Sequence, residues 1–262
     1  MSASTFPDCA MCNNPATFSC SSCHCRNLYC SKFCQRADWK LHKLLCSSRP
    51  LFETPPTASS RRAIVFLTNG EIAFAWETTE TKTSDDDSTI WESPVGIEKY
   101  FDGQRPSVQR YYNNVVRKRR LKDSIDLYFN GDFMLDGSEK NLAVCNIVQG
   151  MDDGGAVWRA PLVALKQTES WVDNQRSCPN LTPGYGHMDM GDLREVVDYL
   201  TRWKLVSGKS GLSNSAAKDV FTAIFFCLCF LHLFYSLATT VRSRDSLPWF
   251  SVKALVCSSK QR

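Results

Sequence analysis

Hydrophobic positions fall into short, differently spaced stretches separated by polar ones. Ala63 to Leu67 is an unbroken apolar run, and beyond Asn69-Gly70 the positions Ile72, Phe74 and Trp76 alternate with Ala73 and Ala75. Apolar runs flanking Asn-Gly predict a β-hairpin, because both residues accept the positive φ of a tight turn. Ile125, Leu127 and Phe129 alternate as in a half-buried strand, and Leu142 to Val148 is an apolar run of strand length. Val157 to Leu165 is strand-like but interrupted by Pro161, which suits an edge or a bulge. Tyr112, Val115 and Val116 have helical spacing and predict a helix from about Gln109 to Lys122, with Arg110, Arg117, Lys118, Arg119, Arg120 and Lys122 as its basic surface. Leu193, Val196, Val197, Leu200 and Trp203 predict another helix, with Asp192 and Glu195 as an aspartate form of the capping box. Together these elements predict an α+β domain over residues 61–203, large enough to bury its own core.

The intervening polar stretches set the remaining boundaries. Residues 47–60, SSRPLFETPPTASS, have no apolar period and read as a linker, as do residues 204–219. Residues 77–89, ETTETKTSDDDST, read as a solvated loop. Val220 to Val241 holds 22 uncharged residues, 17 of them apolar, which is long enough to cross a bilayer. Arg242, Arg244 and Lys253 in the basic tail 242–262 would then lie on the far side from the N-terminus, against the usual charge bias. A membrane anchor, a buried helix and translated intron sequence therefore stay open for 220–241.

Composition narrows the class. With 43% hydrophobic and 22% charged residues over 262 positions, collagen-like, wholly disordered and polytopic membrane chains are excluded. The net charge of +4 is too small to point to general nucleic-acid binding, and all of it resides in residues 1–50. The same segment holds Cys9, Cys12, Cys20, Cys23, Cys25, Cys30, Cys34 and Cys46 of the 13 cysteines. The opening MSASTFPDC lacks a charged stretch followed by an apolar one, so a reducing compartment, cytoplasm or nucleus, is expected. Paired thiols in that setting signify metal more often than disulfides.

Cys9/Cys12 and Cys20/Cys23 are C-x-x-C pairs, and Cys30/Cys34 and His42/Cys46 are pairs four apart. A tight turn points the two thiolates of C-x-x-C at one ion, and a separation of four on a helix puts both side chains on one face. Zinc takes four such ligands, so seven thiolates and one imidazole complete two closed sites with no open position for a catalytic water. Spacing leaves open whether neighbouring or alternating pairs share an ion. His24 and Cys25 are left over as bystanders.

The run YCSKFCQRADWKLHKLLC, residues 29–46, with the preceding C-x-x-C pairs, resembles a MYND-type zinc finger over residues 9–46, in a finger domain of residues 1–46. The resemblance implies two interleaved zinc sites with short helices: Cys9, Cys12, Cys30 and Cys34 on one Zn2+, and Cys20, Cys23, His42 and Cys46 on the other. It implies a protein-interaction module that docks proline-containing peptides through Ser21, Gln35 and Trp39; the second domain is not expected to be needed for that contact. Residues 158–161 (WRAP) and 192–200 (DLREVVDYL) also resemble the extension of uncharacterised fungal MYND finger proteins.

Some MYND fingers accompany SET methyltransferases. The nearest text, NQRSCPN at 174–180, has one residue too many before Ser177 and one too few after Cys178, so that chemistry is not expected. His187 has no partner that spacing supports and reads as a loop histidine. The expected protein is an adaptor without enzymatic activity, possessing a zinc finger and a second domain of open role. The alternatives are an active site within 61–203, or a nucleic-acid-binding regulator using residues 117–122.

Overall fold

The computed structural model describes residues 7–25, 28–85, 90–148, 158–168 and 184–209. The segments 174–180 and 220–241, and the residues after 209, lie outside the described residues. Among the described residues no helix is long and apolar enough to cross a membrane.

The chain opens with turns around the early cysteines and continues into helix α1, Lys32–Cys46. Ser31, in extended conformation, caps α1 by accepting from the Cys34 amide. An antiparallel sheet follows, with strands β1 (Ser60–Phe66), β2 (Ile72–Thr83), β3 (Ile90–Val95), β4 (Ser107–Asn114), β5 (Arg119–Phe129), β6 (Leu162–Gln167) and β7 (Tyr185–Gly186). Their order is β3-β2-β1-β6-β5-β4, with β7 pairing to β6. Helix α2, Leu142–Ile147, precedes β6, and helix α3 spans Met190–Lys209.

The β1–β2 hairpin forms where Asn69-Gly70 predicts it. Gly70 takes a φ of +97°, and the Asn69 side chain accepts from the Glu71 amide at 2.9 Å. Strands β1 and β6 are central, which is why their apolar residues run without a break: Ile64, Phe66, Leu162 and Ala164 face one side, Ala63, Val65, Val163 and Leu165 the other.

Elsewhere the structure departs from the local pattern. Residues 109–122 are not a helix but the end of β4, a turn, and the start of β5. The spacing of Tyr112, Val115 and Val116 misleads because the valines are exposed in the turn, while the inward residues are Tyr111 and Asn114 across a bulge. Leu142 to Val148 is not a strand: buried Asn141 caps a short helix by accepting from the Val144 amide at 3.0 Å. Pro161 marks no edge, since it immediately precedes β6, and β6 pairs on both sides. Glu77 to Thr83 extend β2, with Glu77 and Thr79 buried, so the expected loop begins only after Thr83. The capping box of α3 lies three residues earlier than expected: Asp189 accepts from the Met190 amide, and Asp192 reaches back to the Asp189 amide at 2.6 Å. In 47–60, Arg49–Phe52 form a 3-10 turn whose Phe52 packs on Phe74 and Trp76.

Apolar cores flank the sheet on both faces. On one face Val65, Val163, Leu165 and Tyr185 pack with Ile97 and Phe101. On the other, Ile64, Phe66, Phe74, Leu127 and Leu162 pack beneath α2 and α3 together with Leu41 and Leu45 of α1 and the thiols of Cys20, Cys23 and Cys46. The cysteine-rich segment therefore shares a core with the sheet. Burying each of Leu41 and Leu45 contributes about 1.5–3 kcal/mol to that union.

Candidate metal centres

The structure gathers the eight paired ligands into two groups, each with its donor atoms within 4.8 Å of one another: Cys9, Cys12, Cys30 and Cys34, and Cys20, Cys23, His42 and Cys46. Alternating pairs share a group, so the interleaved arrangement is the one formed. In the first group the Sγ atoms of Cys12 and Cys30 are 3.5 Å apart and those of Cys30 and Cys34 are 3.6 Å apart. In the second, Cys20 and Cys46 Sγ are 3.8 Å apart, and Cys23 Sγ is 3.5 Å from His42 Nε2. A tetrahedron with zinc–sulfur bonds of about 2.3 Å has edges of about 3.8 Å. Donor chemistry and spacing thus fit two zinc ions, each with four protein ligands.

Local hydrogen bonds shape both turns. The Cys9 amide donates to Asn14 O at 2.9 Å and the Cys20 amide to Cys25 O at 3.2 Å, closing the loops that turn each C-x-x-C inward. Every ligand of the second group is buried, whereas in the first only Cys9 and Cys34 are.

His42 is oriented from behind. Tyr29 donates its hydroxyl to Asp38 Oδ2 at 2.7 Å, and the same hydroxyl oxygen lies 2.9 Å from His42 Nδ1. With the tyrosine proton committed to Asp38, its oxygen accepts from Nδ1–H, and the Nε2 lone pair is left for the ion. Burial and then the Asp38 charge push the Tyr29 hydroxyl pKa well up, which keeps that proton in place. Asp38 is in turn held by Arg194 of α3, whose Nε donates to Oδ1 at 2.8 Å and whose Nη2 bonds the same oxygen.

The first group is braced by β5 and the turn before it. Arg119 donates to the carbonyls of Cys9 at 2.7 Å and Cys12 at 3.3 Å, and Arg117 donates to that of Met11. Both guanidiniums are pinned on α3, Arg119 by Glu195 and Arg117 by Asp198, with Asn114 bridging the two carboxylates. The basic cluster 117–122 is therefore no solvated helix face: two of its cations hold the cysteine-rich segment. Cys25 and His24 lie outside both ligand groups: Cys25 is buried and donates to Asp189 Oδ1 at 3.3 Å, and His24 is exposed.

Of the remaining expected site residues, Ser21 is exposed in the turn between Cys20 and Cys23, Gln35 is half-buried, and Trp39 is 49% exposed. Gln35 and Trp39 share a face of α1, and the Trp39 ring stacks on His42.

Residues 9–46 match the MYND finger family. This segment is a MYND finger. Deformed epidermal autoregulatory factor 1 of Drosophila melanogaster is 48% identical over 42 residues, which are 16% of this chain and 7% of that protein. The chain thus spans less than a tenth of that relative, and the likeness is confined to the finger. No solved structure matches the chain. MYND fingers are protein–protein interaction modules, and this one brings two zinc-binding groups to that role.

Sequence reasoning missed Tyr29, Asp38, Arg117, Arg119 and Arg194. Only Asp38 left a local trace: a carboxylate one helical turn before His42, on the face that Cys34, Leu41 and Leu45 bury.

Proposed function

We propose that the finger is the partner-docking element of this chain and that it receives a proline-containing peptide on Trp39, Gln35 and Ser21. The observation that carries this reading is Trp39, a large aromatic left half exposed although its ring is held on a buried metal ligand. A fixed indole offers a flat apolar surface for a proline ring at little entropic cost, and the Gln35 amide beside it supplies hydrogen-bonding capacity to a peptide backbone. Arg36, Lys40 and Lys43 are exposed on the same helix, so acidic residues flanking the prolines are favoured and binding weakens with salt. One aromatic anchor and a few hydrogen bonds correspond to affinities on the order of micromolar to millimolar.

A role in transcriptional regulation, in nucleus or cytoplasm, accords with a partner-recruiting finger, and the Drosophila relative is named as an autoregulatory factor. The test is a proline-peptide array probed with the zinc-loaded full-length chain, followed by Trp39→Ala and Gln35→Ala. The expected result is selection of a peptide by the wild type and its loss in Trp39→Ala with both zinc ions retained. Selection of no peptide, or equal binding by Trp39→Ala, overturns the reading.

A further inference from the structure

Three arginines from outside the finger converge on its two metal centres, and each is matched by a carboxylate. Arg194 bonds Asp38 in the finger, Arg119 bonds Glu195, and Arg117 bonds Asp198. Glu195 and Asp198 belong to α3, as does Arg194, which also lies 3.7 Å from Asp198. The contacts are largely sequestered: Asp38 is 2% exposed, and Glu195 and Asp198 are buried. Neither arginine on the first group touches a thiol. They hold the backbone carbonyls of Cys9, Met11 and Cys12, which fixes the turn that aims two of its four ligands. Arg194 likewise acts at a distance, through Asp38 and Tyr29, on the Nδ1 side of His42.

We propose that α3 is a working part of both zinc centres. Arg194 is the positioning residue for the histidine-containing centre, and Arg119, held by Glu195, is the positioning residue for the all-thiolate centre. This inference does not depend on the proline-peptide reading, because it concerns how the ions are held rather than what the finger docks. Its physical basis is preorganisation. A histidine with one tautomer and one ring orientation, and a C-x-x-C turn with its carbonyls pinned, meet the ion without first being ordered, and loss of such outer contacts typically lowers metal affinity about 10–100-fold. An interaction module of this kind holds its metal more tightly while the domain behind it is folded.

The experiment uses the full-length chain loaded with cobalt(II), whose visible absorption distinguishes an all-thiolate environment from one with an imidazole among three thiolates, and follows transfer of each ion to a chelator. Arg194→Gln is expected to accelerate loss from the histidine-containing centre by roughly tenfold or more while the all-thiolate centre stays near wild type. Arg119→Gln is expected to do the reverse. Tyr29→Phe, which removes only a hydroxyl, repeats the Arg194→Gln effect without altering any charge, and Arg194→Lys restores part of it. Imidazole nitrogen shifts of the zinc-loaded chain provide a second readout, with wild-type His42 protonated on Nδ1 and that signal broadened or lost in Tyr29→Phe. A general loss of packing would move both centres together. Equal release from both centres in Arg194→Gln and Arg119→Gln, or release at the wild-type rate in both together with an unchanged His42 signal in Tyr29→Phe, overturns the proposal.

Discussion

The indole of Trp39 lies on the imidazole of His42, with ring centroids 5.9 Å apart and planes inclined by 27°. A residue exposed for recognition is thus seated on a residue committed to metal. Because His42 is also held by Tyr29 at Nδ1 and is buried, Trp39→Ala is expected to retain two zinc ions per chain and to cost no more than about 1 kcal/mol in stability. Elemental analysis and a denaturant midpoint check this. Loss of an ion would show that the indole is needed for the metal site itself.

Elemental analysis of the reduced full-length chain is expected to give two zinc ions, one for each ligand group. Chelation is expected to lower the melting temperature of the sheet as well as that of the finger, since Leu41 and Leu45 lie in the common core. Structural zinc contributes about 10–16 kcal/mol to small zinc-finger peptides, enough for its removal to free α1 from the sheet. Calorimetry showing an unchanged sheet transition after both ions are removed would contradict this coupling.

Asn141 holds the entry to β6 in place. It caps α2, and its amide donates to Phe66 O at 3.0 Å and Ala160 O at 2.8 Å in a fully buried position. Asn141→Ala removes the cap and leaves two buried carbonyls short of a donor, an expected loss of about 2–4 kcal/mol. Urea unfolding at fixed zinc measures it, and a loss below about 0.5 kcal/mol would mean that water or a neighbour replaces the amide.

His187 supplies a pH dependence. Its Nδ1 accepts from the Arg62 amide at 3.1 Å and its ring meets Trp76 edge-on; burial, then the Arg62 charge, holds its pKa below the ordinary imidazole value. The folded chain thus keeps this imidazole neutral at a pH where the unfolded chain takes up a proton. The contribution is complete above about pH 6.5 and declines as pH falls from there to the folded pKa. Subtracting the stability–pH curve of His187→Gln from that of wild type is expected to leave a difference that shrinks below about pH 6.5. A difference constant across that range would show that His187 titrates alike in both states.

What the sequence discloses is what is local. The hairpin rests on Asn69-Gly70, α3 on the spacing of Leu193 to Leu200, and the ligand set on four close pairs, all within reach of a short window. Leu142 to Val148 is too short for length to separate helix from strand, and the deciding residue is Asn141, which caps the Val144 amide while its own amide is held by Phe66 O and Ala160 O, distant in sequence. Arg117 and Arg119 look like surface charge until Glu195 and the Cys9–Cys12 turn are brought to them. No periodicity links Arg194 to Asp38, and the resemblance over residues 192–200 implies no role for the helix that carries Arg194.

The Arg194–Asp38 contact joins residues 156 positions apart. During synthesis at about 5–20 residues per second, roughly 8–30 s pass between the appearance of Asp38 and that of Arg194. For that interval the thiols are already made while the helix that steadies them is not, and competing metals or oxidants meet the site at its weakest. Nascent chains arrested before and after Arg194 should accordingly differ in how readily they give up zinc.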